Sequence, residues 1–249
     1  MTRLPVLTYH AIEVSSSPLA VSPAAFSETM KRLSQAGWHT LSDADILGGL
    51  TRGEWPERSF VIHFDDGFAS VQQRAWPLLQ DLGFTATVYV VTDWVGRTND
   101  WPGQPPTVPR WRLMDWDDLG ALVAEGATLG AHTANHPRLP LLTRDAQEHE
   151  IGRSVDAVRR ATGRAPLTLA YPYGATDAAV SAIALGHVEA AYGTRLSYVS
   201  PASARAELPR IDACYLADGR RADRLDRADM RAYLSFRNLG RQLRAALGG

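Results

Sequence analysis

The chain carries a single cysteine, Cys214, among its 249 residues. One thiol excludes an internal disulfide and a cysteine-based zinc site, so any bound metal has to be held by histidine and carboxylate. Excess charge of either sign is also missing: 26 Lys and Arg face 27 Asp and Glu, a formal net charge of -1. That balance argues against a dedicated nucleic-acid binder and against a polybasic membrane anchor. Long apolar runs are absent as well. No stretch approaches the roughly 18 consecutive apolar residues of an integral membrane segment. Met1-Thr2-Arg3 runs into Leu4-Pro5-Val6-Leu7, and the apolar character is over by Thr8. No signal peptide is read there, and a cytoplasmic location is expected; a trimmed leader would point to export instead.

What remains is an ordinary globular composition, 45% hydrophobic and 21% charged. It sets aside disorder, collagen and coiled coil. The length suits one domain over residues 1–249. Along the chain, short β-branched runs alternate with amphipathic ones. Strands are expected at Pro5–Tyr9, Phe60–Phe64, Thr85–Val91, Thr128–Ala131, Leu167–Tyr171 and Glu189–Tyr192. Helices are expected from Ser22-Pro23 to Gly37, then over Ala69–Leu82, Trp116–Glu125, Asp145–Thr162 and Ala178–Leu185. This rhythm implies parallel βαβ units, about seven of them. The expected fold class is α/β: a single distorted (β/α) barrel of about seven parallel strands, with a doubly wound open sheet as the second choice. In both, ligands gather at the C-terminal ends of the strands.

Two segments stand outside the rhythm. Asp93–Arg112 holds Trp94, Trp101 and Trp111 and four prolines, too many for a helix. It reads as a long loop, either packed on the barrel by its tryptophans or forming a rim of the binding site. The tail sets Arg237, Arg241 and Arg244 beside Leu239, Leu243 and Leu247, the pattern of a solvated helix.

Polar groups stand at strand ends where packing does not call for them. His63-Phe64-Asp65-Asp66-Gly67 follows a buried strand. Adjacent carboxylates repel, and a cation can hold both ionised; an Asp-Asp-Gly turn is the plainer account. His132 and His136, four apart, can point the same way on a helical turn or in a tight loop. One Asp and two neutral imidazoles make an open coordination set for a divalent metal. Tyr171-Pro172-Tyr173-Gly174 is a rigid turn that can aim a backbone N–H at an oxyanion. His10 again stands just past a strand, in Leu7-Thr8-Tyr9-His10.

At these residues the chain resembles the polysaccharide deacetylases, the NodB-homology group or carbohydrate esterase family four. Phe64-Asp65-Asp66-Gly67, His132-Thr133-x-x-His136-Pro137 and Tyr171-Pro172-Tyr173-Gly174 look like the family's first three motifs, and the resemblance runs from about Val6 to Tyr215. It implies that Asp66, His132 and His136 bind a divalent metal, that Asp65 is the general base, and that the Tyr173 N–H helps hold the oxyanion. Zn²⁺ is the expected ion, with Co²⁺, Ni²⁺, Fe²⁺ and Mn²⁺ also compatible. The family's last motif, a Leu-x-His that supplies the general acid, is missing: Tyr215-Leu216-Ala217-Asp218 has no histidine. His10 at the start of the chain is similar to the acid of the permuted branch acting on poly-N-acetylglucosamine, and a closed barrel would make its first and last strands neighbours. Asp212 is a candidate to assist it. The family's third motif usually opens with an arginine that steadies the base; Ala170 stands there, and Arg210 is the candidate replacement.

The expected activity is metal-dependent removal of the N-acetyl group from an N-acetylated amino sugar, in a glycan or a glycan precursor. A deformylase or other linear-amide hydrolase, and a catalytically silent carbohydrate-binding protein, are the rivals.

Overall fold

The computed structural model describes residues 2–216 and 224–246, with side chains described up to residue 240. Among them the strands are β1 (Val6–Tyr9), β2 (Ala11–Ile12), β3 (Ala20–Val21), β4 (His39–Thr40), β5 (Ser59–Phe64), β6 (Thr87–Val90), β7 (Thr128–Ala131), β8 (Thr168–Ala170), β9 (Ala190–Leu196) and β10 (Leu208–Asp212). The α-helices are α1 (Pro23–Gln35), α2 (Asp43–Arg52), α3 (Trp76–Asp81), α4 (Trp116–Ala124), α5 (Arg144–Thr162), α6 (Ala178–His187) and α7 (Ala228–Ala246). The tail is helical, as its pattern suggests. Ala217 and Asp218, Leu247, and the side chains of Arg241, Leu243 and Arg244 lie outside the described residues.

Seven strands close into an all-parallel barrel in the order β1-β10-β9-β8-β7-β6-β5, and β5 returns to β1. The α/β barrel expected from the sequence is therefore the fold. β4 pairs with the first residues of β5, and β2 with β3. All six residues of β5, SFVIHF, are buried, as they must be in a strand covered on both faces. The helices carry their own start signals. Ser22 accepts a hydrogen bond from Ala25 N, with Pro23 at the first helical position of α1. Capping boxes open α2 (Ser42 with Asp45) and α4 (Asp115 with Asp118).

Two differences from the sequence reading have physical causes. Ala69–Leu82 is not one regular helix: Val71–Ala75 winds as a π-helical segment before α3. Trp76 N–H bonds Val71 O, five residues back, and Pro77 has no N–H to continue an α-helical ladder across the junction. The segment between Gly37 and Phe60, unassigned from sequence, holds β4 and α2. Two-residue strands carry no readable periodicity.

The lower interior of the barrel is polar. Asp43, the first residue of α2, is 1% exposed. Its Oδ1 accepts from Tyr192 OH at 2.9 Å and contacts His63 Nε2 at 3.1 Å. Its Oδ2 accepts from Thr168 Oγ1 at 2.8 Å and Tyr89 OH at 3.0 Å. These partners come from β5, β6, β8 and β9, so one carboxylate ties four strands together. Gly130 on β7 makes room for Tyr89: a Cβ there would lie 2.3 Å from the ring. Burial alone would raise the Asp43 pKa, but the charge and hydrogen bond of His63 and the hydrogen bonds of Thr168 and Tyr192 bring it from 3.8 to about 2.

Because the folded value is depressed, the stabilisation from Asp43 is complete above pH 3.8 and is lost as pH falls through about 2. Urea unfolding should show the gap in stability between wild type and Asp43→Asn shrinking as pH drops across that window.

Candidate active site

The polar residues singled out from the sequence meet at the C-terminal end of the barrel. Asp66 follows β5, and His132 follows β7. Asp66 Oδ1 lies 3.3 Å from His132 Nε2 and 3.4 Å from His136 Nε2, with all three residues buried. Their donor atoms all fall within 4.8 Å of one another. Two ligand atoms about 2.0–2.2 Å from one tetrahedral ion stand about 3.3–3.6 Å apart, so the Asp66–imidazole separations suit a shared cation. Asp66 Oδ1 is buried and makes no hydrogen bond of acceptable geometry, which leaves it in want of a partner. His132 Nδ1 lies 2.7 Å from Ala170 O; donation there turns the Nε2 lone pair toward Asp66. The trio thus fits a divalent metal in donor type and in the spacing of Asp66 from each imidazole.

The electrostatics point the same way. Burial depresses His132, but its contact with Asp66 and the charges of Asp65 and Asp66 outweigh this and hold it above the usual histidine value. Burial dominates at His136, pushed down to about 3. Two buried carboxylates draw positive charge into the site, and His136 is kept as a neutral donor.

The backbone is bent to make this arrangement. Five non-glycine residues have positive φ among the described residues, and four belong here: Asp66 (71°), Thr133 (63°), His136 (60°) and Tyr173 (59°). Such residues cost on the order of 1–3 kcal/mol each unless their surroundings hold them. The loop holding His136 is tied down from both ends. His136 N donates to Thr133 Oγ1 at 3.0 Å. Glu150 of α5 accepts from Asn135 N at 2.8 Å and Asn135 Nδ2 at 2.9 Å, and its carbonyl accepts from Ala134 N. Glu150 escapes a sequence reading because it looks like any charge on the outer face of a helix.

Beside the trio stand a carboxylate and an imidazole, Asp65 and His10. Asp65 is gripped by Arg210 through two parallel bonds, Nη1 to Oδ1 at 2.7 Å and Nη2 to Oδ2 at 2.8 Å. Burial would raise the Asp65 pKa; Arg210, then His132 and His10, reverse this and hold the carboxyl well below the usual range. His10 Nε2 stands 3.9 Å from Asp65 Oδ2, with its side chain 23% exposed. Register explains the meeting: Tyr9 of β1 pairs with Phe64 of β5, and Asp65 N donates to Tyr9 O, so the next residues out are neighbours. Arg210 reaches Asp65 from β10, two strands along from Ala170 on β8. A bulge aims it there: four steps of β9 oppose two of β10 between the Tyr192–Leu208 and Leu196–Arg210 pairs.

Tyr173 sits in the tight turn Pro172–Gly174 after β8. Gly174 has φ 65°, and a Cβ there would lie 2.2 Å from Thr194 Oγ1. The tryptophan-rich segment both packs and lines the site. Asn99 is fully buried and bonds Pro109 O and Trp111 N, folding the segment on itself. Trp101 packs its ring on His136 at 4.5 Å between centroids. A cleft of about 200 Å³ opens over the site, walled also by Thr8, Leu19, Gln104, Thr194 and Asp212. Asp212 Oδ1 accepts from Cys214 N at 3.0 Å.

Removing the clamp on the loop should loosen the trio. Glu150→Ala is expected to weaken Zn²⁺ binding by about 10–100-fold with the fold retained, read by isothermal titration and circular dichroism. Unchanged affinity would mean that the loop holds its shape without α5.

The comparisons with known proteins agree with this geometry. A family model described as polysaccharide deacetylase matches residues 52–188, more than half of the chain. A Bacillus subtilis (strain 168) protein named "Putative polysaccharide deacetylase YxkH" is 27% identical over 173 residues, which cover 69% of this chain and 57% of that one. The poly-beta-1,6-N-acetyl-D-glucosamine N-deacetylase of Staphylococcus aureus (strain N315) is 23% identical over 196 residues, covering 77% of this chain and 67% of that one. The chain thus spans little more than half the length of the first of these relatives. The structure of IcaB from Ammonifex degensii shares the fold, with a TM-score of 0.76 at 22% identity over 90% of this chain and 98% of the other. On the extent of the family match, joined to the closed barrel and its strand-end site, this chain belongs to the polysaccharide deacetylase family.

Proposed function

We propose that this protein is a metal-dependent hydrolase that removes the N-acetyl group from an N-acetylated amino sugar in a glycan or glycan precursor. One observation carries the reading: the Asp66–His132–His136 trio and the Asp65–His10 pair face a single cleft. A binding protein has no need of a buried base and a partly exposed imidazole side by side.

An amide is a poor electrophile, and an amine is a poor leaving group. Asp66, His132 and His136 would hold a divalent ion, Zn²⁺ first among the candidates. When bound, such an ion polarises a carbonyl and lowers the pKa of water toward about 7. Asp65 takes a proton from the attacking water. Arg210 keeps both carboxylate oxygens in place and the carboxyl ionised, so the base is ready at neutral pH. The Tyr173 N–H donates to the developing oxyanion. His10, with part of its ring exposed to the cleft, gives a proton to the departing nitrogen. Acetate and a free amine result. The likeness to the Staphylococcus aureus enzyme supports N-acetylglucosamine as the sugar to try first.

Zinc-loaded protein should release acetate from N-acetylglucosamine oligomers. Asp65→Asn and His10→Ala should each lower kcat by about 10²–10⁴-fold while zinc content and fold are kept. Full activity in either variant would overturn the assignment. Faster turnover of N-formyl than N-acetyl sugars would shift it to a deformylase, and sugar binding without acetate release would leave a silent binder.

A further inference from the structure

Arg210 does more than meet Asp65, and what lies on its other side has no part in the chemistry above. The residue is 3% exposed, and its Nε donates to Gly193 O at 3.1 Å. Its guanidinium carbon stands 5.8 Å from the ring centre of Tyr89 and 5.9 Å from that of Tyr192. Both distances lie within the range of cation–π attraction, which is stronger away from water. These are the two tyrosines whose hydroxyls donate to Asp43 at 3.0 and 2.9 Å. Burial, and then the charge of Asp43, keep both phenols protonated, so they remain donors. A phenol that donates to a carboxylate gains electron density in its ring and attracts a cation more strongly. His63 braces the pair, packing edge to face on Tyr89 at 4.9 Å and on Tyr192 at 4.6 Å while it contacts Asp43.

The result is a column through the barrel in which charge alternates: Asp43, then Arg210 on its aromatic seat, then Asp65. We propose that Asp43 is a positioning residue for the reaction: through Tyr89 and Tyr192 it fixes the Arg210 guanidinium, and thereby the orientation of Asp65. The catalytic part of this inference rests on the hydrolase reading. The positioning of Arg210 does not, and can be tested on its own.

The Arg210 Nε–H is the probe. In protein labelled with ¹⁵N-arginine, its resonance is assigned by its loss in Arg210→Lys. Asp43→Asn should speed exchange of this proton with solvent by about tenfold or more, with or without zinc. In the zinc-loaded enzyme the same variant should lower kcat by about 10–100-fold and leave KM and zinc content unchanged. In an Arg210→Lys background it should cost about twofold or less, because the route through Arg210 is already cut. If Asp43→Asn does not fold, Tyr89→Phe combined with Tyr192→Phe keeps the rings and removes the two donors, and the same changes are expected. Unchanged exchange in a folded variant, or equal losses of kcat in both backgrounds, would overturn the proposal. If wild type releases no acetate, the hydrolase reading fails while the exchange measurement still decides whether Asp43 holds Arg210.

Discussion

The backbone ladders that join β1 to β5 on one side and to β10 on the other close the barrel, and the site depends on that closure. β1 carries His10 at its end, β5 carries Asp65 and Asp66, and β10 carries Arg210. These residues are separated along the chain by up to 200 positions, yet register makes them neighbours. Leu7 pairs with both Ile62 and Ile211, so the three strands share one level. Opening the ring between β1 and β5 would part His10 from Asp65, and closed parallel ladders prevent it. Closure also brings His10, at the start of the chain, beside Asp65, where the proposed reaction calls for a general acid.

Within the ring, function is arranged in levels along the barrel axis. At the floor a buried carboxylate is satisfied by hydroxyls and an imidazole from four strands. Above it lie two tyrosine rings, then a guanidinium, then the ionised Asp65. Beside Asp65 stands the trio of Asp66, His132 and His136. The charges of Asp43 and Asp65 are compensated by their neighbours, which is the condition for keeping ionised groups out of water. The cost of the strained backbone at Asp66, Thr133, His136 and Tyr173 is met by the same packing: α5 clamps one loop, and Thr194 packs closely over the turn at Gly174.

Much of the site was legible in the sequence because its residues come in short local motifs at strand ends. Asp65-Asp66, His132 and His136, and Tyr173 each sit in a run whose turn residues announce the loop. His10 and Arg210 were legible through what the family pattern lacks at its usual positions. Asp43 was not. It stands behind Ser42 in a capping box, where an acidic residue in the first turn of a helix needs no further explanation. Glu150 was hidden for a similar reason, and so were Tyr89 and Tyr192, which read as ordinary strand aromatics. The π-helical turn before α3 was masked by an apolar spacing that suits a regular helix.

Local chemistry therefore determined most of the strands, helices and turns, and which side chains could bind a cation or move a proton; these follow from periodicity, caps and donor types within a few residues. Tertiary structure alone decided which of them meet. The bulge in β9 turns Arg210 onto Asp65, ring closure brings His10 beside it, and packing inside the barrel makes an aspartate of a helix's first turn the buried anchor of four strands. Contacts of this kind depend on register between segments far apart in the chain, and no local pattern encodes that register.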